Sequence, residues 1–105
     1  MSTKRTTPTK LSMEKLVADG YQPFVVEYRA YGRLHDMFGF GDILALRKDE
    51  RLLVQTTSYS NVPARVKKIT EHENLGIVRD AGFRIIVHGW RVKNKVWICR
   101  EVDLS

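Results

Sequence analysis

A chain of 105 residues with 43% hydrophobic and 29% charged residues has the size and composition of one domain that buries a core without covalent staples. Its single cysteine, Cys99, excludes an internal disulfide and fits a reducing compartment. The net charge of +6 favours acidic partners, of which nucleic acid is the commonest. No apolar run approaches the ~20 residues needed to cross a bilayer, so a soluble, cytoplasmic protein is expected.

Residues 1–10 are basic and Thr-rich, and no apolar stretch follows them, so a mobile tail is expected there rather than a secretory signal. The folded domain is expected over residues 11–105. A first helix is predicted from Met13 to Asp19, with Ser12 as N-cap, Glu14 in the first turn and Gly20 just past the end. The β-branched and aromatic run Pro23–Tyr31 predicts a strand, and Gly32–Gly41, with three glycines, a loop. Asp42–Arg47 and Arg51–Thr57 read as the two strands of a β-hairpin around a charged turn. Asn61–Gly82 reads as mostly helix: Pro63 suits the first turn, and Val62, Val66 and Ile69 keep a helical period. Leu75, Ile77 and Val78 continue the apolar face, and Gly76 is a candidate break. Phe83–Trp90 is a buried strand, joined to a last strand, Lys95–Val102, through the turn Val92–Lys95. The order α-β-β-β-α-β-β makes a single-domain α/β sandwich around a mixed sheet, because a helical crossover usually delivers a parallel strand.

The hairpin carries a chemical pattern. Asp42 heads the first strand, and Gln55, Thr56 and Thr57 close the second. With Asp49 and Glu50 as the turn, Lys48 pairs with Arg51, Leu44 faces Gln55, and Asp42 faces Thr57. Asp42 and Gln55 are then diagonal neighbours on one face, whereas a three-residue turn moves Asp42 to the other face. A carboxylate and an amide oxygen at the mouth of a sheet suit a hard divalent cation, which can activate water and hold a phosphate.

The element order, with Gly41-Asp42 opening one strand and Gln55-Thr56-Thr57 closing the next, resembles the PD-(D/E)xK nuclease superfamily. The closest resemblance is to its branch of archaeal Holliday-junction resolvases and VRR-NUC nucleases. The resemblance implies a restriction-endonuclease-like fold over roughly residues 11–100 and a Mg²⁺- or Mn²⁺-dependent endonuclease acting on DNA, of phage or mobile-element type. Asp42 would be the principal metal ligand, Gln55 would stand at the (D/E) position, and Glu14 would match a helix-one glutamate that some members add to the metal. Thr57 falls where the family has its lysine and brings no positive charge. Lys68 or Arg65, on the following helix, are the candidates for a relocated base. Resolvase relatives also make a homodimer an expectation.

Around this pattern, Arg29, Tyr31, Arg33 and His35 interleave aromatic and basic groups near the Gly-rich loop, and Tyr59, Arg65 and Lys67 follow the hairpin. That composition suits nucleic-acid backbones and unstacked bases. Asp36, beside His35, is a candidate metal or phosphate contact. His72 reads as a helix-surface residue and His88 as a hydrogen-bonded strand histidine. No His/Cys spacing points to zinc, and Ser58 and Ser60 lack a triad pattern. Three functions follow: a divergent metal-dependent endonuclease or resolvase acting on branched or single-stranded DNA, an inactive nucleic-acid-binding module or accessory subunit of the same fold, and a structural or protein-interaction domain.

Overall fold

The computed structural model describes residues 6–105. Helix α1 (Pro8–Ala18) is followed by strands β1 (Gln22–Val25), β2 (Tyr28–Ala30), β3 (Arg33–His35), β4 (Ile43–Arg47) and β5 (Glu50–Ser58). A 3₁₀ turn (Tyr59–Asn61) leads into α2 (Val62–Thr70) and α3 (Leu75–Asp80), and β6 (Arg84–Lys93) and β7 (Val96–Asp103) complete the chain. The main sheet has the order β1-β4-β5-β6-β7, and β2 and β3 form a separate two-stranded ribbon. Only β5 and β6 run parallel, because the helical crossover between them returns the chain in the same direction. No helix among the described residues is long and apolar enough to cross a membrane.

The sheet is covered on both sides. Leu16 of α1 packs on Ile43, Ala45, Leu52, Val54 and Ile86. On the opposite face Val62, Ile69, Leu75 and Val78, from α2 and α3, pack on Leu53, Ile85 and Val87, and Phe40 closes this second core. The two clusters divide the strand residues by parity, as side-chain alternation requires. The mixed α/β domain expected from the sequence is therefore present, with five strands before α2 instead of three and two helices in the crossover instead of one.

Each departure has a local cause. Helix α1 starts at Pro8, inside the stretch read as a tail: the Thr7 hydroxyl accepts a hydrogen bond from the Lys10 backbone N–H at 3.2 Å, and proline suits the first helical turn. The rest of that stretch, residues 1–5, lies outside the described residues. Strand Pro23–Tyr31 is interrupted at Val26 and Glu27, where the ladder with β4 ends, and the chain leaves the main sheet for the β2–β3 ribbon. The Gly-rich loop contributes β3 to that ribbon. The long helix breaks between Thr70 and Leu75, so Gly76 lies within α3 rather than ending a helix. His72 stabilises the break: its Nδ1 accepts from the Asn74 backbone N–H at 3.0 Å, and its ring packs edge-on against Phe40 at 5.3 Å. It is half-buried and packs against its neighbours instead of standing free on a helix surface. The break also turns Ile77 outward, where it is exposed, while Leu75 and Val78 stay buried.

Ser12, expected as an N-cap, is a core residue. Its Oγ lies 2.9 Å from Trp90 Nε1 and 2.9 Å from His88 Nδ1. An indole N–H can only donate, so the serine oxygen accepts there. Glu101 can only accept, which puts the ring proton on Nε2, 3.3 Å from Glu101 Oε1, and leaves Nδ1 to accept from the serine hydroxyl. Burial pushes the imidazole pKa below its usual value, which keeps the ring neutral. Ser12→Ala leaves two buried groups without a partner and should cost about 2–3 kcal/mol in urea unfolding. A cost below about 0.5 kcal/mol would mean that the hydroxyl does not hold the pair together.

Candidate metal and phosphate site

The hairpin turns one residue earlier than expected. Arg47 pairs with Glu50, and Lys48 and Asp49 form the loop. Lys48 accepts a left-handed φ of 50°, and Glu50 is held by three partners: Tyr21 Oη at 2.8 Å, Arg47 Nη2 at 2.7 Å and Arg84 Nη1 at 3.2 Å. The register moves by two residues, so the faces are preserved. Leu44 now faces Leu53 rather than Gln55, the ladder ends at the Ile43–Val54 pair, and the Asp42 backbone N–H bonds to the Val54 carbonyl at 2.9 Å, so Asp42 does not face Thr57. Gly41 precedes it because a Cβ there would lie 2.3 Å from Leu53 Cδ1.

Asp42 and Gln55 are both buried, and their side chains meet. Gln55 Nε2 donates to Asp42 Oδ2 at 3.2 Å, the Thr56 backbone N–H donates to the same oxygen at 2.8 Å, and Thr56 Oγ1 lies 3.5 Å from it. The donors converge on Oδ2. The amide must present its NH₂ to a carboxylate, which leaves Gln55 Oε1 buried with no hydrogen-bond partner among the described residues. Desolvation pushes the Asp42 carboxyl up to about 6; the Thr56 and Gln55 donors oppose this, and the negative charge of Asp36 adds to it.

Two further acids complete the cluster. Carboxylate oxygens of Glu27, Asp36 and Asp42 all lie within 4.8 Å of one another. Glu27 arrives because β1 ends just before it, with Val26 N–H bonded to the Asp42 carbonyl at 2.9 Å. Asp36 arrives from the end of β3. The turn that follows it is fixed by the Met37–Gly41 bridge and by Asn74 Nδ2 donating to the Phe38 carbonyl at 2.9 Å. Lys68, on α2, reaches Asp36 with its Nζ at 3.4 Å.

These groups open into a cavity of about 540 Å³ at the carboxyl end of β5, bounded by the first turn of α1, by Ser58 and Asn61, and by Arg65. Ligands of α/β sheets commonly bind outside the carboxyl ends of parallel strands. The structure thus brings Asp42, Gln55, Thr57 and Arg65 to one cavity and sets Lys68 at its edge through Asp36. Glu14 does not belong: it is exposed on α1 and does not line the cavity, since the turn that does is formed by Pro8 and Thr9. The earlier helix start carries Glu14 past the site. Glu27, missed in the sequence, takes the place expected of Glu14; the one available signal was a lone acid in the apolar run Pro23–Tyr31.

The other expected nucleic-acid contacts are spread out. Arg29, Tyr31 and Arg33 lie exposed on the β2–β3 ribbon, with Tyr31 at its tip. His35 is half-buried, stacked on Tyr28 at 5.1 Å and 3.1 Å from the Ala30 carbonyl. Lys67 is exposed on α2. Comparisons with protein-family models, with curated proteins and with solved structures give no significant match for this chain.

Proposed function

We propose that this protein is a divergent metal-dependent endonuclease of the restriction-endonuclease-like, PD-(D/E)xK type, acting on branched or single-stranded DNA. The observation that carries this reading is the partnerless buried Oε1 of Gln55 beside three clustered carboxylates. The donor set is all oxygen, as Mg²⁺ and Mn²⁺ prefer, and a cation would satisfy the amide oxygen and relieve the crowding of negative charge together. Asp42, Asp36, Glu27 and Gln55 would hold the ion. A divalent cation in such a site polarises a phosphoryl oxygen and neutralises charge that develops in the transition state.

The chain's own residues do the remaining work. Thr56 and Gln55 hold Asp42 by one oxygen, Oδ2. Arg65 offers a planar guanidinium on the cavity wall for a phosphate. Lys68, whose amine lies 3.4 Å from Asp36, would supply the positive charge that Thr57 lacks. A second reading, a binding module without catalysis, is favoured by Thr57, which is buried and uncharged at the lysine position.

Incubation with single-stranded, duplex and four-way-junction DNA in Mg²⁺ or Mn²⁺ separates the two. Metal-dependent cleavage is expected, lost in Asp42→Ala. Lys68→Ala should lower the cleavage rate by roughly 10²–10³-fold, the scale of losing one charge-stabilising group, while DNA binding persists. Binding without cleavage of any substrate in either metal would establish the second reading.

A further inference from the structure

Tyr59 sits between Ser58 and Asn61, which both line the acidic cavity, and two arginines share its ring. Arg91 Cζ lies 4.5 Å from the ring centroid and Arg100 Cζ 5.9 Å from it. The β6–β7 register explains the convergence. Gly89 pairs with Arg100 and Arg91 with Ile98, so the two arginines are diagonal neighbours on the face that carries α2. Gly89 seats the tyrosine between them, since a Cβ there would lie 3.1 Å from Tyr59 Cα.

Two like charges are brought together with nothing opposite. Arg47 and Arg84 are paired with carboxylates, whereas no carboxylate of the described residues lies within 4.0 Å of Arg91 or Arg100. Both are exposed, and Lys93 continues the same face two residues on. A guanidinium stacked on an aromatic ring keeps its donor edge free and has already lost much of its rotational freedom. Such an edge matches a phosphate in bidentate geometry.

We propose that Tyr59, Arg91 and Arg100 form a phosphate clamp for the backbone of a nucleic-acid strand running from the acidic cavity across the β6–β7 hairpin. The clamp rests on the proposed DNA-acting function only for the identity of its ligand. The phosphodiester backbone is the occupant, because the clamp lies beside the cavity and the basic face extends along the hairpin instead of closing around one anion.

Anisotropy with a labelled oligonucleotide, titrated over salt in EDTA, tests it. Each phosphate neutralised contributes roughly 0.7 (single strand) to 0.9 (duplex) to the slope of log affinity against log salt. Arg91→Gln/Arg100→Gln should therefore lower the slope by about 1.4–1.8 and weaken binding about tenfold or more near 0.1 M salt. Arg91→Lys/Arg100→Lys keeps the charge and should lose less. An unchanged slope in the folded Gln variant, with wild-type cleavage intact, overturns the clamp and leaves the nuclease reading standing. A reduced slope in a protein that cleaves nothing supports the clamp and overturns the nuclease. Inorganic phosphate that competes at low millimolar concentration as well as oligonucleotide would assign the pair to a free anion and overturn the proposal. Binding to anionic vesicles but not to DNA would overturn both readings.

Discussion

Replacing Asp42 with Asn should make the metal-free protein more stable at pH 8, by up to about 3 kcal/mol, or on the order of 10 °C in melting temperature. The Asp42 carboxyl is raised from 3.8 to about 6, chiefly by burial, so the folded state binds its proton more tightly than the unfolded chain does. The sign follows from linkage. The carboxylate costs nothing while it is protonated in both states, at low pH. The cost grows as pH rises from about 3.8 to about 6 and is complete above that. Asn keeps an oxygen for the Thr56 N–H and removes the charge, so its advantage should be full at pH 8 and gone by about pH 4. The same substitution removes the proposed metal ligand. Mg²⁺ or Mn²⁺ should raise the melting temperature of the wild type at pH 8, less so as protons compete below about pH 6, and leave Asp42→Asn unmoved. Thermal melts at several pH values with and without each metal make the measurement. An Asn variant that is less stable at pH 8, or that still responds to metal, would sink the assignment of Asp42 as a buried ligand.

Gly89→Ala should destabilise the fold by about 3 kcal/mol, the upper range for overpacking. The added Cβ would stand 2.1 Å from Val62 Cγ2, 3.1 Å from Tyr59 Cα and 3.3 Å from the Ser58 carbonyl oxygen. Val62 has no exposure, and the other two atoms belong to the backbone. The start of α2 and the preceding turn must therefore lift off β6. Val62→Ala in the same chain relieves only the first contact, so it should recover part of the loss, giving a coupling energy of about 1 kcal/mol in a double-mutant cycle. Because Tyr59 rides on that turn, the variant should also weaken the proposed DNA binding. Urea unfolding that finds Gly89→Ala within about 0.5 kcal/mol of wild type would show that the turn does not rest on the sheet at this point.

Much of the fold was legible in the chain. Apolar runs gave the two long core strands and the hairpin, and the helical period of Val62, Val66 and Ile69 marked the crossover that makes β5 and β6 parallel. Alternation along strands put Asp42 and Gln55 on one face under either two-residue turn, because moving the register by two residues preserves parity. What escaped were features with weak local signals. Ser12 looks like a cap because serine often is one, and only the docking of α1 against Trp90 and His88 makes it a core partner. The strand break at Glu27 has no glycine or proline to announce it. His72 sits in a helical pattern, yet its ring holds open the gap between α2 and α3.

The sequence by itself determined the class of the molecule: one mixed α/β domain, basic, with an acid and a glutamine at the mouth of its central hairpin. Those properties follow from composition and from periods of two and 3.6 residues, which any segment carries locally. The tertiary structure alone decided the membership of the site. Glu27, Asp36 and Asp42 are separated by a ribbon and a turn, Lys68 comes from the crossover helix, and Arg91 and Arg100 come from the last hairpin. Their meeting depends on where β1 ends, on which residues turn the hairpin and on how closely α2 can approach Gly89. Those are outcomes of packing between segments, and the local pattern of one segment does not announce which side chains of another it will meet.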